Sequence, residues 1–302
     1  MSGRIASESS VPSDEERDLE GAIALDVTRF RDRSVHTTRD IVAREEPLEI
    51  QLGGASLAVV MRTPGFDADL ALGFLVTERV IASRGEVASI LHCDSVQRPE
   101  AEGNVIRVVL RPGVRVDLES LRRNFFANSS CGICGRATIE SALAEVSPLA
   151  DATRIPAHVL SGMLRALEST QELFSHTGGL HGVGLFDASG RLLVTREDVG
   201  RHNAADKVIG WALRQGRTPL AGHSLVVSGR SSFEIVQKAA VAGISIVAAV
   251  SAPTSLAVDF ARSAGMTLLG FVRGGDFNVY SGGERIVWPK SCAGGSRDEA
   301  AG

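Results

Sequence analysis

The sequence lacks any apolar run of the roughly 18 residues that a membrane-spanning helix needs. It also lacks an apolar segment near its start, where the first 21 residues, MSGRIASESSVPSDEERDLEG, are polar and acidic. Such a start is unlike a secretory signal peptide, which has an apolar central region. The sequence therefore predicts a cytoplasmic protein that has no membrane partner.

An excess of basic charge is also missing. There are 32 Lys and Arg against 36 Asp and Glu, which gives a formal net charge of −4. The chain as a whole therefore has no electrostatic footprint for nucleic acid. Aromatic residues make up only 5%, whereas hydrophobic residues reach 44% and there are 32 glycines. This composition favours an α/β protein with a substantial core and many tight turns.

Cysteine is scarce, with only Cys93, Cys131, Cys134 and Cys292 in 302 residues. A chain of this length with so few cysteines is not a disulfide scaffold. Cys292 lies in a polar tail and is predicted to be incidental, and Cys93 is predicted to be a small buried side chain. Cys131 and Cys134 form a CxxC pair, which in a reducing compartment indicates metal binding, redox chemistry or nucleophilic chemistry.

The residue pattern divides the chain into five parts. Residues 1–24 and 289–302 are polar and charged, which predicts disorder. Residues 25–116 alternate in the manner of strands around one helix and predict an N-terminal α+β module, including a hairpin. Residues 156–288 predict a C-terminal α/β module, and residues 117–155 a connecting segment with a mobile CGICG loop.

The C-terminal module is predicted to contain a hairpin around residues 180–195, followed by alternating strands and helices. The strands are predicted at 224–228, 244–250 and 266–272, with helices at 232–242 and 254–264. Apolar strands separated by helices favour a parallel βαβαβ sheet that is covered on both faces.

The sequence CGICG at 131–135 is the strongest chemical signal in the chain. A helix is predicted directly after it, and the dipole at a helix N-terminus favours thiolate over thiol. Arg136 adds a positive charge, and the neighbouring glycines leave the sulfur sterically open. Residue chemistry alone also allows a zinc site, which would need further ligands such as His92 and Cys93, a thioredoxin-like dithiol, or two inert thiols.

Three predicted strand ends carry hydroxyl, glycine or arginine residues. They are Ser228-Gly229-Arg230-Ser231-Ser232, Ser251-Ala252-Pro253-Thr254-Ser255 and Phe271-Val272-Arg273-Gly274-Gly275. The carboxyl ends of neighbouring parallel strands form the edge at which open α/β sheets bind ligands. Helix N-termini, hydroxyls and arginine suit a phosphate, so the turns predict an anion or nucleotide site of unspecified base. The alternative is that Ser and Thr only cap helices.

Two polar, glycine-bearing loops flank the predicted middle hairpin. One contains His176 and His181, and the other contains Asp198, Arg201 and His202. These side chains could act as acids or bases, or bind polar ligand atoms. Hydrogen bonding within the loops and helix capping explain them equally well.

Taken together, the motifs resemble the FdhD-type family of formate dehydrogenase accessory sulfurtransferases. The resemblance spans about residues 40–285. Its motifs are EEPLEIQL, MRTPGFDADLALGFLVTE, SSCGICGRATIE, FSHTGGLH, REDVGRHNAADKVIG, SGRSSFEIVQKAA, SAPTSLA and GFVRGGDFNVY.

The resemblance implies a sulfur carrier for a molybdenum cofactor. Sulfur would come from a cysteine desulfurase as a persulfide on Cys131, with Cys134 assisting. It would pass to the molybdenum of the bis(molybdopterin guanine dinucleotide) cofactor, before insertion into the formate dehydrogenase apoenzyme. The cofactor would be a bound acceptor, with no permanent prosthetic group. Two other function classes stay open: a dithiol-disulfide oxidoreductase and a non-catalytic cofactor chaperone.

The resemblance also assigns structure and further site residues. The family's cofactor-binding stretch matches Phe271, Val272, Arg273, Gly274, Gly275 and Asp276, the last standing where the family often has a basic residue. The C-terminal module would be a three-layer α/β/α unit like that of cytidine deaminases, and the protein a homodimer. The zinc-binding HxE and PCxxC signatures of those deaminases are absent, so deamination is not expected.

Overall fold

The computed structural model describes residues 21–93, 103–117 and 148–290. The predicted CGICG loop and the predicted C-terminal tail from residue 291 onward lie outside these ranges. The described residues form a four-stranded sheet, a six-stranded sheet and two small two-stranded sheets.

The N-terminal part opens with an antiparallel hairpin of β1 (Ala22–Arg31) and β2 (Ser34–Ala43). Strand β1 therefore begins inside the segment 1–24 for which disorder was expected. A four-stranded sheet follows in the order β4-β3-β6-β5. Its strands are β3 (Glu46–Leu52), β4 (Ala55–Arg62), β5 (Val87–His92) and β6 (Val105–Leu110). The antiparallel pairing of β3 with β4 confirms the predicted hairpin.

Helix α1 (Asp67–Thr77) lies between β4 and β5 in the chain and is buried along nearly its whole length. Phe66 precedes it in the left-handed backbone region, with φ 57°. Phe66 is 58% exposed and lies outside the core.

The C-terminal part is built on the six-stranded sheet, in the order β13-β12-β11-β10-β8-β9. Its strands are β8 (His181–Phe186), β9 (Leu192–Asp198), β10 (Ser224–Val227), β11 (Ile246–Ala249), β12 (Thr267–Arg273) and β13 (Asp276–Ser281). Strands β10, β11 and β12 are parallel, as predicted, while β8, β9 and β13 make the antiparallel pairs. The short strands β7 (Ile155–Pro156) and β14 (Ile286–Val287) pair separately.

Alternation along the strands gives this sheet two apolar faces. Leu225 and Val247 point to the side of α4 (Arg201–Arg214), α5 (Phe233–Val241) and α6 (Ser255–Ser263). Val226 and Ile246 point to α2 (Ala157–Glu168) on the opposite side. A short helix, α3 (Glu172–Thr177), follows α2. The predicted α/β class, with a three-layer C-terminal module, is confirmed. None of the helices in the described ranges has the length and apolar character needed to cross a bilayer.

The two parts meet where α1 packs on α4. A Cβ atom at Gly73 would overlap the Asp206 carbonyl group, and one at Gly210 would overlap the Asp69 carbonyl group. Only glycine permits this approach of the two backbones. One hydrophobic cluster consequently runs from the four-stranded sheet through α1 and α4 to the six-stranded sheet. The N-terminal and C-terminal parts therefore share this cluster, while a second cluster lies between the six-stranded sheet and α2.

Candidate functional site

The predicted sulfur-bearing residues, Cys131 and Cys134, lie outside the described residues. Cys93 is described and is half-buried at the end of β5. Next to it, the His92 ring lies 3.6 Å from the Asp67 carboxylate. In the described ranges, no group of three or more His, Cys, Asp or Glu side chains is placed to hold a metal ion.

The three predicted anion turns lie side by side at one edge of the six-stranded sheet; we call residues 228–232, 251–254 and 271–275 the turn edge. Backbone hydrogen bonds join them in order. The Ser251 amide donates to the Gly229 carbonyl at 3.3 Å, and the Phe271 amide donates to the Ser251 carbonyl at 3.3 Å. The Thr254 amide donates to the Ser231 carbonyl at 3.2 Å. The structure therefore brings together residues that the sequence separates by more than 40 positions.

The hydroxyl groups of these turns have three different roles. The Ser228 hydroxyl accepts a hydrogen bond from the Gly182 amide at 2.8 Å and ties the first turn to β8. The Thr254 hydroxyl caps α6 by accepting from the Ala257 amide, so the capping interpretation holds for this residue. The Ser231 side chain is buried and its hydroxyl has no hydrogen-bond partner among the described residues.

The third turn carries the stretch 271–276. Phe271 adopts the left-handed backbone with φ 53°, a conformation that costs a large side chain about 1–2 kcal/mol. Such strain is concentrated at functional sites. Val272 is fully buried, so only its backbone can contact a ligand. Gly274 and Gly275, both at positive φ, make the tight turn that pairs Arg273 with Asp276.

Arg230, Arg273 and Asp276 are exposed at this edge. The positive charges of Arg230 and Arg273 at the turn edge can attract an anion. Asp276 lies opposite Arg273 across the β12–β13 turn, so its carboxylate reduces the local positive charge. The reduced positive charge follows from the acidic residue at position 276, where the family pattern often has a basic one.

Histidines from the two polar loops lie beside the first turn. An added Cβ at Gly229 would sit 3.4 Å from the His181 Nδ1 atom. His202, in the first turn of α4, places Nε2 2.8 Å from the Glu234 carboxylate and 3.3 Å from the Ser232 hydroxyl. His176 is exposed on α3 and is not part of this group.

Buried ion pairs involve lysines of α4 and α5, and the sequence interpretation did not foresee them. The Lys207 ammonium lies 2.7 Å from the Asp198 carboxylate and donates to the Thr63 carbonyl at 2.8 Å. The Lys238 ammonium lies 2.9 Å from Asp206 and 3.1 Å from Glu78. The available sequence signal was the presence of charged residues inside the apolar pattern of α4 and α5.

The fold and the turn edge together define a mixed α/β protein with a three-layer C-terminal unit whose strand ends form a polar edge. A model of the FdhD/NarQ family matches residues 43–287. The chain belongs to the FdhD/NarQ family, which confirms the family resemblance.

Relatives and a solved structure agree with this assignment. The chain is 50% identical over 245 residues to the sulfur carrier protein FdhD of Mycolicibacterium paratuberculosis, covering 80% of this chain and 90% of that protein. It is 46% identical over 265 residues to the protein of the same name from Streptomyces coelicolor, covering 86% and 94%. A crystal structure described as a formate dehydrogenase accessory protein from Desulfotalea psychrophila matches with a TM-score of 0.70 at 28% identity, over 88% of this chain and 99% of that chain.

Proposed function

We propose that this chain is a sulfur carrier in the maturation of a formate dehydrogenase. It takes sulfur from a cysteine desulfurase as a persulfide on Cys131. It delivers that sulfur to the molybdenum of a bis(molybdopterin guanine dinucleotide) cofactor bound at the turn edge, for insertion into the apoenzyme. The role as a sulfur carrier is supported by the names of the curated relatives.

The observation that supports the docking of a nucleotide is the geometry of the turn edge. Three turns from sequence-distant strands meet there, and the buried Ser231 hydroxyl at this edge has no partner among the described residues. Exposed Arg230 and Arg273 supply positive charge for phosphates. Helix α5 begins directly after the first turn and no side chain caps its N-terminus, so its amide end favours an anion.

The transfer of sulfur is a thiol–disulfide exchange in two steps. First, the Cys131 thiolate attacks the terminal sulfur of the desulfurase persulfide; an S–S bond forms at Cys131, and the desulfurase cysteine leaves as a thiolate. Second, the Cys134 thiolate attacks the Cys131 sulfur. The pair closes to a disulfide and the terminal sulfur leaves as hydrosulfide, carrying the electron pair of the broken bond. A cellular dithiol then reduces the disulfide.

The proposal is tested by loading sulfur onto the full chain. The protein is incubated with a cysteine desulfurase and free cysteine, and its intact mass is measured under non-reducing conditions. We expect a mass gain of one sulfur that disappears in Cys131→Ala and persists in Cys93→Ala, the matched control. A gain that survives in Cys131→Ala would contradict the assignment of the persulfide.

The same material separates the two competing classes. A dithiol oxidoreductase would reduce protein disulfides through a reversible Cys131–Cys134 bond and would not depend on guanine nucleotide. A non-catalytic chaperone would still activate formate dehydrogenase after both cysteines were replaced. We expect neither result. The assembly of the chain as a homodimer stays a prediction, to be measured by light scattering.

A further inference from the structure

A small pocket, which we call the β9 pocket, lies where the loop before α1 meets β9 and α3. Its walls are residues 64–66 of the loop, residues 170 and 173 around the start of α3, residues 195–197 of β9 and Lys207 of α4. Its volume is about 110 Å³. A water molecule takes about 30 Å³ of the liquid, so the pocket suits the head group of a side chain and is too small for a nucleotide.

The β9 pocket is separate from the turn edge. Strand β9 is the outer strand of the six-stranded sheet, and β8 lies between it and β10, which leads into the first turn of that edge. The pocket therefore opens along the side of the sheet, and the proposed docking of a nucleotide does not use it.

The Glu197 carboxylate is the group of this pocket that is best placed to bind a ligand. Its two oxygens accept hydrogen bonds from the Leu173 and Phe174 amides, at 3.0 and 2.8 Å. These bonds hold the carboxylate in one position against the start of α3. Glu197 is only half-buried, and a carboxylate has about four acceptor sites. Both oxygens can therefore accept further hydrogen bonds from a ligand in the pocket.

The charge of Glu197 is not neutralised by the cations in the pocket wall, because they are paired with other carboxylates. The Lys207 ammonium lies 2.7 Å from Asp198. The Arg196 guanidinium lies 3.1 Å from Asp69. Burial raises the pKa of Glu197, and the charge of the neighbouring Glu172 raises it further, although the two amides act in the opposite direction. The carboxylate therefore gains from a ligand that brings a positive charge.

The rest of the wall is largely apolar and includes an aromatic ring. Phe66 is exposed, and the Arg196 guanidinium lies over its ring at 3.7 Å from the centroid. Pro64 and Leu173 line the pocket beside it, and Phe174 is exposed next to Leu173. An arginine side chain suits both kinds of surface. Its planar guanidinium stacks on aromatic rings, and its fork of N–H donors matches the two oxygens of a carboxylate.

We infer that the β9 pocket receives an arginine side chain of a protein partner. The guanidinium donates to the Glu197 carboxylate, and the apolar stem lies against Phe66 and Leu173. A peptide segment is favoured over free arginine because Phe66 and Phe174 are exposed here, so that apolar residues beside the arginine can be buried against them. Arginine and aromatic residues are typical of the centres of protein interfaces. The inference goes beyond the proposed function and does not rest on it.

The test is an NMR titration of the full chain with the capped peptide Leu-Arg-Leu and with the same peptide carrying citrulline in place of arginine. Citrulline keeps the shape of arginine but has no charge. Because a charge-assisted hydrogen bond is lost, the citrulline peptide should bind at least about tenfold more weakly. Glu197→Gln should abolish this difference between the peptides. The matched control is Asp259→Asn, which removes an exposed carboxylate of α6 and should preserve the difference.

Dependence on pH gives a second readout. The guanidinium stays charged throughout, whereas a proton on Glu197 removes the charge that attracts it. Binding of the arginine peptide should therefore weaken as the pH falls from neutral towards the pKa of Glu197, which lies above the ordinary 4.5. The other charges around the pocket, Glu172 on α3, Arg196 on β9 and Lys207 on α4, are unchanged in Glu197→Gln. Equal pH profiles of the two proteins would contradict the role of Glu197.

The remaining outcomes separate the site from its occupant. Equal binding of the arginine and citrulline peptides by the wild type, or binding of neither, overturns the inference. Free arginine that binds as tightly as the peptide supports the guanidinium site and contradicts the protein partner. Thermal melting shows whether Glu197→Gln is folded. If it is not, Phe66→Leu tests the wall instead and should weaken binding of the arginine peptide about two- to fivefold. None of these results bears on sulfur loading at Cys131.

Discussion

At the contact between α1 and α4, the buried carboxylates meet cations. Asp69 pairs with Arg196 and Arg214, and Asp206 pairs with Lys238. At the turn edge, the buried Ser231 hydroxyl meets no hydrogen-bond partner among the described residues. The Ser224 hydroxyl and the Nε atoms of Arg196 and Arg201 are likewise unpartnered in the described ranges.

The comparison of Asp206 with Ser231 predicts that a paired buried group holds the fold together and that an unpaired one is kept for binding. A buried charge that pairs within the fold fixes how elements meet, and breaking the pair leaves an uncompensated charge. A buried polar group that stays unpaired weakens the fold and is retained for another reason, such as a ligand. The following substitutions test whether the two regions obey this distinction.

The largest effect is expected for Lys238→Met at the helix contact. Burial alone would lower the pKa of Lys238, but Asp206 and Glu78 hold it above its usual value, so the side chain remains charged. Its removal leaves Asp206 buried without a cation, which should reduce the free energy of unfolding by about 3–5 kcal/mol. Denaturant unfolding measures this. The control Arg262→Gln breaks only an exposed ion pair and should lower the free energy of unfolding by well under about 1 kcal/mol. Similar losses of stability in Lys238→Met and Arg262→Gln would contradict the structural role of the buried pair.

A somewhat smaller loss is expected for Gly73→Ala. The added methyl group would overlap the backbone of Asp206, so α1 and α4 must separate, at a cost on the order of 3 kcal/mol. In Gly162→Ala on α2 the new methyl group has no atom within 4 Å. That helix should gain about 0.5–1 kcal/mol from the better helix former. Melting curves of the two variants should therefore shift in opposite directions.

The smallest effect on stability is expected for Ser231→Ala. This change removes an unpaired buried hydroxyl, so the free energy of unfolding should stay constant or rise by up to about 1 kcal/mol, while GDP binding weakens. Thr254→Ala removes the cap of α6 and should lose about 0.5–2 kcal/mol. A clear loss of stability in Ser231→Ala would show that its hydroxyl is partnered in solution.

Much of the C-terminal fold was accessible from sequence because the determinants are local. Apolar runs such as Leu225–Val227, separated by amphipathic helices, specify parallel strands, and parallel strands put their carboxyl ends at one edge. The meeting of Ser228, Ser251 and Phe271 could be deduced from that rule alone. The hairpins of β3 with β4 and of β8 with β9 followed from turn residues between alternating segments.

The other features depend on contacts that local patterns do not encode. The pairing of Asp206 with Lys238 joins two helices, and a charged residue within an apolar helix pattern does not indicate which residue it pairs with. Gly73 and Gly210 are ordinary helix-weakening residues until the opposing backbone is known. The position of His181 beside Gly229 follows from the antiparallel pairing of β8 with β10, which the sequence interpretation did not predict.

The close contact of α1 with α4 at Gly73 and Gly210 predicts how the two parts behave when they are expressed as separate fragments. A fragment of residues 148–290 would expose the Gly210 surface of α4 to solvent, along with Arg196 and Arg214 deprived of Asp69. A fragment of residues 21–117 would carry Asp69 without its cations. Each piece alone is therefore expected to be poorly folded. When the two fragments are co-expressed, they should reassemble, because the contact that joins them is between the surfaces of α1 and α4 and does not need a covalent link.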